Sequence, residues 1–213
     1  HHFLGPHHVK IFAKNVLGDC MLTPALQDSH IALYDIDMQR LQDSEKMLKN
    51  INKNCNENRA DIVAYKDRKD ALKNADYVVD AIQVGGYKPC TVTDFEIPKK
   101  YGLRQTIGDT LGIGGIFRAL RTIPVLLDFA RDMGEVCPDA WFLNYTNPMA
   151  MLTGAMLKAT NINTVGLCHS VQVCAKSLLE GVDMDTEDVQ WKIAGINHMA
   201  WLLEITRNGR DLY

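Results

Sequence analysis

Tyr77-Val78-Val79-Asp80-Ala81-Ile82, followed by Gln83-Val84-Gly85-Gly86, is the stretch on which the fold turns. A run of β-prone residues closed by paired glycines reads as a buried strand ending in a tight loop. The same design repeats towards the N-terminus. Ile31-Ala32-Leu33-Tyr34-Asp35 reads as a buried strand ending on an acid, and Ile62-Val63-Ala64-Tyr65 as another. Between them, Leu41, Leu48, Ile51 and Cys55 recur at helical spacing among Lys, Asp and Glu, and a short charged helix is expected from Arg68 to Asn74. Towards the C-terminus, a long loop is expected to run to Gly115. The longest helix follows, with a predicted apolar face of Ile116, Phe117, Leu120, Ile123, Leu127, Ala130 and Met133, and a predicted kink at Pro124. Trp141 to Tyr145 and Thr164 to Cys168 read as strands. Each precedes a helix, Pro148 to Lys158 and Val171 to Leu179, the first with Asn147 as its expected N-cap and Pro148 as its first residue.

Nearly all-apolar strands alternating with amphipathic helices predict an α/β fold, a doubly wound, Rossmann-like parallel sheet covered on both faces. Val189 to Ala194 and Trp201 to Thr206, with Asn208-Gly209 as a hairpin turn, predict the start of a second α+β subdomain. The expected division is therefore residues 9–188 for the sheet domain and 189–213 for the start of a C-terminal catalytic and oligomerisation domain. Residues 1–8 (HHFLGPHH) read as tag-like and outside the fold. The last predicted strand begins just as the chain ends, so the chain reads as part of something longer. Ligands of open α/β sheets bind beyond the carboxyl ends of the strands. Asp35, Gly85, Asn147 and Cys168 each follow a predicted strand and are expected at one edge.

The composition excludes some classes of function. With a net charge of -3, the chain presents no basic surface suited to nucleic acid, and its apolar runs are too short to span a bilayer. The six cysteines are scattered without a C-x-x-C pair, which suits reduced thiols in a cytoplasmic protein. All but Cys168 are expected to act as small core hydrophobes.

Several residues carry candidate chemistry. Asp35 could accept hydrogen bonds from the ribose hydroxyls of a dinucleotide, or it is an ordinary turn residue. The G-x-G-x-x-G loop that would support the first reading is missing, because Val9-Lys10-Ile11-Phe12-Ala13-Lys14-Asn15 passes from strand-like to helix-like without a glycine. A Cys168 thiolate and the imidazole of His198 could share a divalent metal, although two ligands far apart in sequence are not by themselves a metal motif. His169 is a third candidate if it sits beyond the strand end, since neighbours on a strand point to opposite faces. Asn147 could bind a sugar hydroxyl as well as cap a helix. Asp109, in the Gly-rich loop Gly108 to Gly115, suits a sugar hydroxyl or a metal-bound water better than a phosphate.

Taken together and in order, these segments resemble family 4 glycoside hydrolases. The matching pieces are Phe12 to Asp19 (FAKNVLGD), Leu33 to Asp37 (LYDID), Ile82 to Tyr87 (IQVGGY), Gly108 to Arg118 (GDTLGIGGIFR), Asn144 to Met149 (NYTNPM), Cys168 to Ser170 (CHS) and Gly195 to His198 (GINH). The Cys-His-Ser triplet resembles the α-galactosidase branch, where the phospho-sugar branches carry Cys-Asp. The arginine those branches place before the equivalent of Ile97-Pro98 has no counterpart in Cys90 to Glu96.

The resemblance implies bound NAD, with Asp35 and Gln83 on the cofactor side, and manganese or another divalent metal on Cys168 and His198. It implies Asn147 as a galactoside ligand, His169 in the position of a catalytic acid, and Asp109 in the substrate loop. The implied substrates are melibiose-like α-galactosides, and the implied state a homo-oligomer. The implied reaction is an exception to two-carboxylate glycoside hydrolysis: oxidation at carbon 3, elimination of the aglycone, addition of water and reduction. The chain departs from the family at the Gly-rich loop before Phe12 and in lacking the C-terminal half with its tyrosine base, so as written it is not expected to catalyse. Two alternatives share the architecture: an NAD-dependent 2-hydroxy-acid dehydrogenase, which needs an arginine and a His-Asp pair but no metal, and a non-catalytic fragment.

Overall fold

The computed structural model describes residues 7–212. Helix α1 (His7–Leu22) opens it, so His7 and His8 lie in a helix and the remainder of the tag-like stretch lies outside the described residues. The strand-like reading of Val9 to Ile11 is corrected: these residues are the first turns of α1. β-branched residues only weakly oppose a helix, and extending an existing helix is far cheaper than nucleating a new element.

Strand β1 (His30–Tyr34), helix α2 (Met38–Cys55) and strand β2 (Asp61–Tyr65) follow as expected, with β1 and β2 parallel and in register from His30 opposite Asp61. Asp37 starts α2 by accepting hydrogen bonds from the N–H groups of Gln39 and Arg40. Met21, Ile31, Leu33, Leu41, Leu48 and Ile62 close one apolar core between α1, α2 and the two strands.

After helix α3 (Arg68–Leu72), strand β3 (Tyr77–Asp80) pairs in parallel with β4 (Trp141–Asn144), and β4 with β5 (Asn163–Gly166). The parallel strands thus fall into two groups, β1-β2 and β3-β4-β5. Gly85, Asn147 and Cys168 follow β3, β4 and β5 and share the carboxyl edge of the second group, while Asp35 lies at the corresponding edge of the first. A second core forms where α5 (Gly112–Val136) and α6 (Met149–Ala159) cover this sheet, around Leu126, Met133, Phe142, Leu152 and Met156. Helix α7 (Ser170–Glu180) leads to an antiparallel sheet of β6 (Val189–Ile196), β7 (Met199–Arg207) and β8 (Arg210–Asp211). Asn208 and Gly209, both at positive φ, turn β7 into β8. Among the described residues no helix is long and apolar enough to cross a membrane.

Four further expectations are corrected. The stretch from Tyr87 to Gly115 is not all loop: an irregular turn over Gly86–Thr91 runs into α4 (Val92–Lys100), whose Pro98 hides the helix from a sequence reading. The N-cap of α6 is Pro148 rather than Asn147, whose Oδ1 accepts from the Met149 N–H at 3.3 Å. Of the five cysteines assigned to the core only Cys137 is buried, and Cys55 and Cys174 are exposed.

The fourth concerns α5, which continues through Pro124 and buries a different face from the one predicted. Its first half buries Gly115, Ala119, Thr122 and Leu126, each one residue ahead of the predicted Ile116, Leu120, Ile123 and Leu127. One residue is about 100° of rotation. Two glycines decide the face. A Cβ on Gly114 would lie 1.9 Å from the Gly108 carbonyl oxygen, and one on Gly115 would lie 2.7 Å from the Thr110 carbonyl carbon. The helix therefore lies against the backbone of the loop before it, Arg118 turns inward, and Ile116 and Leu120 stay exposed.

Candidate functional site at the carboxyl edge

The close approach of α5 to the 108–110 loop organises the site. Arg118, 3% exposed, donates to Asp109 Oδ2 at 2.6 Å. Burial pushes the Arg118 guanidinium below its ordinary value, and Asp109 opposes that shift. One turn further, Arg121 grips both oxygens of buried Asp94 on α4, at 2.8 and 2.5 Å, and donates to the Val84 carbonyl at 3.1 Å. This pair pins the turn after β3 to α4. Two arginines spaced i, i+3 thus anchor the two loops that flank the carboxyl edge.

Thr110, next to Asp109, meets the hairpin between β6 and β7. Its Oγ1 is 3.0 Å from His198 Nδ1, and His198 Nε2 is 3.6 Å from Cys168 Sγ. Ser170 steadies the thiol from the first turn of α7, with its Oγ at 3.0 Å and its N–H at 3.4 Å from the sulfur. Strand β5 ends at Gly166, so Cys168 and His169 both lie beyond it, and His169 occupies the N-cap of α7. The opposite-face objection to His169 therefore does not apply. Partial burial holds the His198 imidazole below its ordinary pKa; the Asp109 carboxylate opposes this and His169 adds to it. The Cys168-His169 pair, His198 and Asp109 come from three separate segments of the chain and are neighbours in space.

The donor pair fits a shared ion. Zinc-type bonds of about 2.3 Å to a thiolate and about 2.1 Å to an imidazole at a tetrahedral angle would separate sulfur and nitrogen by roughly 3.6 Å. Among the described residues no third His, Cys, Asp or Glu completes a ligand set. Asn147 lies half-buried on the turn between β4 and α6, with no protein partner for its amide nitrogen among the described residues.

The dinucleotide side is less complete. Asp35 follows β1 as expected, but Arg40 holds both of its oxygens, at 2.6 and 2.5 Å, so ribose hydroxyls would share that carboxylate. Gln83 stands at the carboxyl end of β3 with its amide donating to Thr91 Oγ1 at 3.1 Å. A phosphate-cradling turn between a first strand and α1 is not present among the described residues, where α1 follows no strand.

Sequence reasoning missed Thr110, Arg118, Arg121, Asp94 and Asp80. Only the arginines carried a signal: two cations inside an otherwise apolar helical stretch are bound to pair if that face is buried. Asp80 ends β3 at 3% exposure, burial pushes its carboxyl up to about 7 against the Thr146 hydroxyl and the Ile82 N–H, and its Oδ2 has no partner.

The Rossmann-like sheet agrees with the comparisons. The chain belongs to the family 4 glycosyl hydrolases, whose profile matches residues 8–184. It is 68% identical over 203 residues to an alpha-galactosidase of Bacillus subtilis (strain 168), a match covering 95% of this chain and 47% of that protein. It is 39% identical over 202 residues to an alpha-galactosidase of Rhizobium meliloti (strain 1021), covering 94% and 41%. Among solved structures, a 6-phospho-beta glucosidase from Thermotoga maritima, crystallised with NAD and glucose-6-phosphate, superposes with a TM-score of 0.80 at 25% identity, covering 98% of this chain and 49% of that one. The chain spans about half the length of the curated relatives it matches. Family membership sets aside the dehydrogenase reading.

Proposed function

We propose that the whole protein containing this chain is an α-galactosidase that cleaves melibiose-like α-galactosides by oxidation, elimination, water addition and reduction, with NAD and a divalent metal such as manganese. The observation that carries the reading is the convergence of Cys168 and His198 to 3.6 Å at the carboxyl edge of the sheet. The choice of an unphosphorylated galactoside rests on the 68% identity to the Bacillus subtilis alpha-galactosidase and on the Cys-His-Ser triplet. Bound, the two cofactors would supply reversible oxidation of a sugar carbinol and Lewis-acid polarisation of its oxygens.

The chain's own residues would act as follows. Cys168 and His198 hold the metal. Asn147 turns its amide to a sugar hydroxyl. His169, exposed at the N-cap of α7 beside this pair, hands a proton to the departing oxygen. Asp109, fixed by Arg118, orients the substrate loop through its neighbour Thr110. Asp35 and Gln83 lie on the cofactor side. Residues 9–188 form the NAD-binding domain and 189–213 the start of the catalytic and oligomerisation domain of a cytoplasmic homo-oligomer, in keeping with six free cysteines.

The test compares the whole protein with its Cys168→Ser variant for melibiose hydrolysis and retained manganese. Loss of both is expected. Normal turnover and metal content in the variant would remove Cys168 from the site.

A further inference from the structure

We propose that Thr110 is a positioning residue that locks His198 in the tautomer protonated on Nδ1, so that the lone pair of Nε2 faces the Cys168 sulfur. A threonine hydroxyl has one hydrogen to donate and two lone pairs. Thr110 Oγ1 donates to the Ile107 carbonyl at 3.1 Å, which spends that hydrogen. Its other close partner is His198 Nδ1 at 3.0 Å. With the hydroxyl hydrogen on the Ile107 carbonyl, the contact is a hydrogen bond in which Nδ1 donates and Oγ1 accepts. A neutral imidazole has one N–H, so Nε2 is then bare, and it is the nitrogen that lies 3.6 Å from Cys168 Sγ.

Thr110 has little freedom to do otherwise. It is 3% exposed, its own N–H bonds to the Ile107 carbonyl at 3.0 Å, and Gly115 of α5 lies against its backbone too closely for any side chain to intervene. Ion pairing of the adjacent Asp109 with Arg118 fixes the loop from the other side. The consequence for metal binding rests on the function proposed above. An imidazole whose second nitrogen is held by a hydrogen bond presents its lone pair in one direction, and loss of such a partner costs a site roughly 10–100-fold in metal affinity. The hydroxyl has a further merit as partner: it orients the ring without placing a second charge on it.

The test uses the full chain and two readouts, only one of which needs a metal. Long-range proton–nitrogen correlation on chain carrying 15N-labelled histidine, with His198 assigned by its loss in His198→Gln, reports the tautomer without metal. Manganese affinity is read from the resonance of the free ion. Wild type should show a protonated Nδ1 and a bare Nε2. Thr110→Val keeps the shape, removes the acceptor and leaves the Ile107 carbonyl with its backbone partners Thr110 and Leu111. It should give a mixed or reversed tautomer and an affinity about 10–100-fold weaker. Thr110→Ser should restore both. A protonated Nε2 in wild type, or a Thr110→Val variant with unchanged tautomer and unchanged affinity, would overturn the assignment. Wild type with the expected tautomer but no manganese binding would sink the metal reading and leave the role of Thr110 standing.

Discussion

Asp80 offers a quantitative check on the electrostatics beneath the site. Its carboxyl sits at the end of β3, 3% exposed, with Oδ2 unpartnered, and burial pushes its pKa from 3.8 up to about 7. Between those values the folded protein holds a proton that the unfolded chain releases. Stability therefore falls as pH rises through that window, and the loss is complete once the pH passes the folded value. At about 1.4 kcal/mol per pKa unit, the cost of burying this group reaches about 4 kcal/mol at pH 8 and about 1.5 kcal/mol at pH 5. Asparagine at this position has no proton to lose. Relative to wild type, Asp80→Asn should gain about 2.5 kcal/mol between pH 5 and pH 8, whatever constant difference the amide introduces. For a domain of this size that is roughly 5–10 °C in the difference between the two melting temperatures. Thermal unfolding followed by circular dichroism at both pH values reads it directly, because every other titrating group cancels in the comparison. Parallel stability profiles for the two proteins would show that Asp80 ionises in the folded state as easily as in water, and the burial argument would fail.

The packing of α5 makes two further predictions. Gly114→Ala places a methyl carbon 1.9 Å from one backbone oxygen and 2.5 Å from another, which only a shift of the 108–110 loop can relieve. It should cost about 2–3 kcal/mol by urea denaturation, whereas Gly154→Ala in α6, with nothing within 4 Å, should stabilise by about 0.5–1 kcal/mol. Arg118→Met leaves Asp109 without its buried partner and should cost about 3 kcal/mol; adding Asp109→Asn should recover most of that loss, and a double-mutant cycle with no coupling would show the pair contributes nothing.

Much of this architecture is legible in the sequence for simple reasons. Strands such as Ile31 to Tyr34 and Trp141 to Asn144 are short apolar runs between helical patterns, and the residues after them lie at the ligand edge whatever their side chains do. Asn208-Gly209 shows itself because few other pairs accept two positive φ angles. What is hidden depends on partners distant in sequence. The face of α5 cannot be read from its own apolar spacing, since Ile116 and Leu120 are as hydrophobic as the residues that are buried. It is set by the fit of Gly114 and Gly115 to a loop backbone. The inward turn of Arg118 follows from that fit, and so does the place of Thr110. Cys168 and His198 were each legible as possible ligands, but their meeting requires the β6–β7 hairpin to fold onto the edge of the β3-β4-β5 sheet. That is a property of the tertiary structure and not of either local segment.

Elimination, as proposed for the protein containing this chain, marks the released sugar in a way that displacement does not. A displacement reaction with two carboxylates never removes the proton on carbon 2, whereas an elimination must remove and restore it on every turnover. The direct measurement is nuclear magnetic resonance of the galactose released when the whole protein, supplied with NAD and manganese, turns over melibiose in deuterated water. Deuterium at carbon 2 and no turnover after NAD is stripped are expected. Galactose released at full rate by NAD-free protein, with carbon 2 still carrying its original hydrogen, would contradict elimination.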